Sequence, residues 1–286
     1  MARKVIARIK GGLGNQLFIY SFAYELSRKL SSKLILDDKT GFYKDSYGRK
    51  PVFNKLVCKS DYRFIKVYEI ITFYLCKILS HDISEKLGVK FLIELDNKQR
   101  VSWYSQDFSK VRIVFIEGYF QSYEYFYQSR FEIKTHLKFK IPHSDYYIRL
   151  EGLIRKSNSV AIHIRRRDYT NILDMDYYHK SIGLIKKSLI SPYFFFFCDD
   201  IEWLNSNLGK FNTQNNYIVS TSEMNELMEF TLMSLCKNFI IANSSYSWWA
   251  AYLAGIESDG MVLAPDRTDI GVIDAFYPNS WLLVKG

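Results

Sequence analysis

No apolar run among the 286 residues approaches the roughly 20 that a membrane-crossing helix requires. The nearest, Tyr68–Leu79, is short and interrupted by Lys77, so it reads as a core or an interfacial helix. Glycine (14) and proline (5) are scarce while 48% of residues are hydrophobic, which excludes collagen-like, low-complexity and disordered chains. Cysteine is also scarce. Cys58, Cys76, Cys198 and Cys236 lie too far apart for a zinc knuckle or a redox pair, and all four read as reduced, structural thiols. The first ten residues form a charged strand rather than the apolar core of a signal peptide, which gives the expectation of a soluble, cytoplasmic protein.

Aromatic residues and positive charge are abundant. Phe, Tyr and Trp reach 17%, and the net charge is +9. Residues 1–150 hold 27 Lys and Arg against 15 Asp and Glu, a balance of +12, whereas residues 151–286 hold 12 against 15, a balance of −3. A basic, aromatic front half suits an anionic membrane surface, an acidic substrate or nucleic acid, or is a solubilising surface with no partner. With no zinc finger, aromatic RNA-binding signature or basic arm, nucleic acid is not expected as a partner.

Short β-branched or aromatic runs alternate with helical stretches, the pattern of an α/β protein with parallel sheets. Strands are expected at 5–9, 34–36, 112–116, 159–164, 193–198, 217–219, 239–242 and 261–264. Helices are expected at 15–30, 65–79, 177–188, 201–208, 224–235 and 247–253. Tyr193–Cys198 is apolar on both faces, as a central parallel strand must be. The Tyr-rich segment 41–106 gives no clear order. The charged stretch 144–158 followed by a fresh strand suggests a domain boundary near Arg149, with domains at 1–149 and 150–286.

Four segments carry chemistry. Lys10–Leu17, with Gly11, Gly12 and Gly14 before Asn15 and Gln16, sits at a strand-to-helix turn; it is either a tight turn or a loop whose free amides take an anion. It is neither a P-loop nor a dinucleotide fingerprint. His163-Ile-Arg-Arg-Arg-Asp168 ends a strand where parallel sheets bind ligands. Three consecutive guanidiniums repel one another, so either an anion neutralises them or Asp168 balances a solvated turn. In Asp199–Asp200 one carboxylate is expected to cap the following helix and the other to be free for a ligand. Asn243-Ser-Ser-Tyr-Ser-Trp-Trp249 ends a strand in small hydroxyl residues at a helix start, a phosphate-cradle arrangement. Asp174-Met-Asp176 has the Asp-x-Asp spacing of metal-dependent transferases, but Asp176 fits the cap of the next helix, and no metal site is expected.

Seven ordered blocks resemble the bacterial α-1,2-fucosyltransferases of glycosyltransferase family 11. They are Gly11–Phe18, Gly118–Ser122, His163–Tyr169, Asp176–Tyr178, Asp199–Trp203, Leu232–Cys236 and Asn243–Trp249. The departures are Arg167 and Ala250 where the family usually has Gly, and Glu229 where relatives carry Asp. The resemblance implies a glycosyltransferase B fold of two facing Rossmann-like domains, the first shaping the acceptor site and the second binding GDP-β-L-fucose without a metal. It implies an inverting transfer to galactose in a lipid-linked or free glycan of a surface polysaccharide, O-antigen or capsule, with peripheral contact at the inner membrane surface. The implied substrate-binding residues are Gly12, Gly14, Asn15, Gln16, His163, Arg165, Arg166, Asp199, Asp200, Glu229, Asn243, Ser244, Ser245, Ser247 and Trp248. Arg165, with Arg166 as alternative, would stabilise the leaving diphosphate, and Glu229 is either a guanine acceptor or an ordinary exposed carboxylate. The general base stays open among Asp168, Asp174 and Asp176, with Asp168 also a partner for the arginines. A transferase using another GDP-sugar or linkage, and a non-catalytic glycan-binding protein, are the alternatives.

Overall fold

The computed structural model describes residues 3–57, 61–79, 81–94, 103, 105–167, 171–256, 258–266 and 275–285. It divides into two units, Met1–Lys138 with Gly271–Phe276, and Phe139–Ile270 with Tyr277–Gly286. The first unit runs β1 (Lys4–Arg8), α1 (Leu13–Lys29), β2 (Lys33–Asp37), β3 (Tyr62–Phe64), α2 (Val67–Ile78), α3 (His81–Lys86), β4 (Val89–Ile93), β5 (Ile113–Glu117) and α4 (Arg130–His136). Its five described strands are all parallel, in the order β3-β2-β1-β5-β4. Phe73 and Cys76 of α2 pack with Ile6, Ile35 and Phe115 over this sheet.

The second unit runs α5 (Asp145–Lys156), β6 (Asn158–Ile164), α6 (Met175–Ser188), β7 (Pro192–Cys198), α7 (Ile201–Asn207), β8 (Asn216–Ile218), α8 (Glu226–Ser234), β9 (Asn238–Ile240), α9 (Ser245–Gly255), β10 (Val262–Pro265) and β11 (Leu282–Val284). Its six described strands are parallel in the order β11-β10-β9-β6-β7-β8. Phe194–Phe197 of β7 are all buried, because helices cover both faces of a parallel sheet. The chain winds outward from β6 in both directions, so the gap between β6 and β9 is the switch point where such sheets bind ligands.

Several expectations shift. The anticipated boundary at Arg149 falls inside α5; the division lies ahead of that helix, between Lys138 and Phe139. Helix α1 begins at Leu13, two residues before the expected start, so Gly14 belongs to its first turn rather than to the preceding loop. Strands β3 and β4 and helix α3 lie in the segment that gave no order, and α4, α5 and β11 were not anticipated either. Cys76, Cys198 and Cys236 are buried free thiols, and Cys58 lies outside the described residues.

Candidate functional site

Parallel pairing of β9, β6 and β7 brings three of the four sequence segments to one sheet edge. Ile164 ends β6, and the next three residues form the arginine turn. Asp199, just past β7, fastens it: its two carboxylate oxygens accept from the backbone N–H of Arg166 at 2.9 Å and of Arg167 at 3.2 Å. The Arg165 Nε lies 3.3 Å from the same carboxylate, and the Arg166 Nε 3.8 Å from Asp200. The Arg166 guanidinium also stacks over the Trp203 ring at 4.0 Å. Both arginine side chains keep more than a quarter of their surface exposed, 29% and 26%, so they remain open to an anion from solvent. Asp200 caps α7 by accepting from the Trp203 N–H, as expected for one of the pair. Asp199 is not left free for a ligand, contrary to expectation. Its oxygens hold the turn that presents the arginines.

His163 is 4% exposed, with Nδ1 2.9 Å from the Ser247 hydroxyl across the switch point. Burial, and then the nearby Arg165 cation, lower its pKa to about 3, so the imidazole is neutral at physiological pH. Ser247 is fully buried and spent on this contact, and Trp248 is fully buried against Trp249, Tyr252 and Trp281. Neither faces a ligand as expected; both fix α9. Ser244 caps α9 through the Tyr246 N–H, which occupies one amide of the anticipated phosphate cradle. Ser245 opens the helix, and Asn243 donates to the Asn171 carbonyl.

Glu229 is not an ordinary exposed carboxylate. The Cys198 N–H donates to the Ser220 hydroxyl at 3.0 Å, which donates to Glu229 Oε2 at 2.7 Å. Burial, reinforced by Glu226 and Asp199, raises its pKa to about 7. Ser220, absent from the sequence reading, ties the first turn of α8 to the carboxyl end of β7; nothing in its local sequence marks that link.

In the first unit, Gly11 takes φ +78°, and a Cβ there would press within 3.1 Å of Asn15, so a side chain is disfavoured twice over. Gly12 precedes α1 without any side-chain cap. Gln16 is 1% exposed and donates to the carbonyls of Gly11 and Lys50 while accepting from the Val52 N–H. Its amide is thus engaged in holding the loop, not in facing a ligand. Asn15 accepts from Gln121, joining the 118–122 turn to the glycine turn, and Glu94, just past β4, accepts from the Tyr119 N–H.

Asp174, not Asp176, caps α6, and Asp176 pairs with Lys180 on an exposed face. Asp168 lies outside the described residues. Arg167 does not take a positive φ, so its backbone does not require the family's glycine. Among the described residues no group of three or more His, Cys, Asp or Glu is placed to hold a metal ion.

The two parallel α/β sheets have the fold of the B-type glycosyltransferases, and the guanidinium turn sits at the switch point of the second. The sequence matches glycosyl transferase family 11 over residues 4–281, and the chain belongs to that family. It is 30% identical to the Escherichia coli O-antigen biosynthesis glycosyltransferase WbnK, over 91% of this chain and 93% of that one. It is 28% identical to an Escherichia coli alpha-1,2-colitosyltransferase, over 98% and 99%. The structure resembles that of the fucosyltransferase NodZ from Bradyrhizobium, with a TM-score of 0.52 and 14% identity over 87% of this chain and 92% of that one.

Proposed function

We propose that the chain is an inverting α-1,2-fucosyltransferase that moves L-fucose from GDP-β-L-fucose to galactose in a glycan of O-antigen or capsule. The second unit binds the donor and the first shapes the acceptor side. The observation that carries this reading is the Arg165–Arg166 turn, pinned by Asp199 at the switch point.

The acceptor hydroxyl attacks the anomeric carbon from the face opposite the departing GDP. Bond breaking runs ahead of bond making, so negative charge collects on the β-phosphate. Arg165, with Arg166 beside it, meets that charge; a preorganised donor of this kind contributes roughly 3 kcal/mol. With the turn already fastened, little reorganisation is needed at the moment of reaction. This mechanism assigns to arginine the charge stabilisation that a divalent ion supplies in other transferases. Glu229 accepts from the guanine N–H groups. Neutral His163 holds the switch point through Ser247 and leaves the arginines as the local cations.

The test is to incubate the protein with GDP-fucose and a panel of galactose-terminated acceptors, then map the linkage of the product. An α-1,2 product formed in chelator supports the reading. No stabilisation by GDP and no turnover on any acceptor would leave a glycan-binding protein instead. A second donor has specific support, since the relative covering nearly all of this chain is a colitosyltransferase. Competition between GDP-fucose and GDP-colitose in the same assay decides which sugar is preferred.

A further inference from the structure

Helix α2 is mostly apolar, interrupted by Glu69, Thr72 and Lys77, yet only one of its apolar sides is covered. Phe73 and Cys76 sit in the core of the first unit, with Ile70 packed against it. The opposite stripe, Val67, Ile71, Leu75 and Ile78, repeats at helical spacing and is 65%, 53%, 58% and 83% exposed. Ile83 and Leu87, further along the chain, are exposed as well. Nine of the exposed large apolar side chains fall within residues 67–87, too dense a patch to be scattered surface residues. A contiguous apolar stripe on a helix is ordinarily covered.

The surroundings indicate what covers it. Tyr74 of α2 also lines a cavity of about 760 Å³ at the carboxyl edge of the first sheet. That cavity is lined by Arg8, Lys10, Lys39, Lys44 and Arg49, with Asp45 its one lining carboxylate. Arg8 pairs with Glu117 and Arg49 with Asp45, but Lys10, Lys39 and Lys44 enter no ion pair among the described residues. Two carboxylates on or against α2 are already paired, Glu69 with Lys4 and Arg63, and Glu117 with Arg8 and Lys77. An apolar stripe beside lysines that make no ion pair among the described residues suits an interface that is apolar at depth and anionic at its surface. A second protein with an apolar groove would not account for the lysines.

We propose that the outer face of α2 docks on an anionic phospholipid surface, with the neighbouring basic cavity meeting the phosphate headgroups. The contact is peripheral, since no helix among the described residues is long and apolar enough to cross a membrane. Docking would hold the enzyme at the plane where a lipid-carried acceptor is presented. It requires neither donor nor transfer, so its failure leaves the proposed reaction standing, and the converse also holds.

Flotation with phosphatidylcholine vesicles, with and without phosphatidylglycerol, tests it. The wild-type protein is expected to float with the anionic vesicles and to be released as salt rises. The triple variant Ile71→Glu, Leu75→Glu, Ile78→Glu changes only exposed positions. It should unfold at the same temperature as wild type and lose about tenfold or more of the bound fraction. Lys39→Glu with Lys44→Glu should weaken binding to anionic vesicles specifically. Wild-type protein that stays with the lipid-free fraction, or a triple variant that floats like wild type, overturns the proposal. So does a wild-type dimer that the triple variant converts to a monomer, which would assign the face to a second copy.

Discussion

The two sheets share one plan and treat their ligand edges in opposite ways. In the second unit the cations are fastened: Asp199 grips the arginine turn, Asp200 approaches Arg166, and Trp203 lies beneath it. All five of its described helices are capped by a side chain, from Ser144, Asp174, Asp200, Asn225 and Ser244. In the first unit α1 starts at a glycine with no side-chain cap and no acidic residue in its first turn. Lys10, Lys39 and Lys44 line the neighbouring cavity. A fastened edge is rigid before its ligand arrives, as a transition-state donor must be. The first edge is held by neutral amides such as Gln16 instead, and these lysines stay outside the ion pairs among the described residues.

The largest expected effect tests the fastened edge. Arg165→Ala should lower kcat by about 100- to 1000-fold, or roughly 3–4 kcal/mol, with circular dichroism unchanged. Full turnover in that variant would remove the leaving-group role. Asp199→Asn comes next: an amide has one acceptor oxygen for the two backbone N–H groups, and the Arg165 partner is lost. About a tenfold fall in kcat is expected, with roughly 1–3 kcal/mol less stability in denaturant unfolding. An Asp199→Asn enzyme with wild-type kinetics would show that the turn needs no fastening.

Glu229 gives a pH signature. Its pKa is raised to about 7, so the native state holds this proton more tightly than the unfolded chain does. Stability from this group is therefore present at low pH and declines as pH rises toward about 7. A guanine that donates to the carboxylate displaces the proton, so GDP affinity should fall by up to about tenfold per pH unit below 7. Glu229→Gln should flatten that dependence in isothermal titration; an unchanged slope would move the guanine elsewhere.

The smallest effect probes the first edge. Gly12→Ser would supply α1 with the cap it lacks, and a Cβ at this position meets nothing closer than Arg49 Nε at 3.8 Å. Stability should rise by a few tenths of a kcal/mol. If the free amides serve a ligand, KM should rise at the same time. A more stable enzyme with unaltered kinetics would reduce this edge to a turn.

The cores and the reactive turn were legible in the sequence because their signals are local. The all-apolar Phe194–Phe197 run marks a central strand, and the arginine turn follows a strand wherever that strand is placed. Strand β3 was not legible, since it is three half-buried residues and shows no alternation. The partners that fasten the site were invisible for another reason. Ser220 and Glu94 reach their contacts through chain separations of 22 and 25 residues, which no local pattern encodes.

The order of residues alone determined that this is a parallel α/β protein of family 11, because periodicity, turn chemistry and ordered motifs lie along the chain. Packing decided which motif residues face outward. Asp199, Gln16, Ser247 and Trp248 look like ligand contacts as letters, yet each is occupied inside its own unit. The exposed stripe of α2 is likewise a tertiary fact. Apolar residues on a helix promise burial, and only the assembled fold leaves one of its apolar sides uncovered.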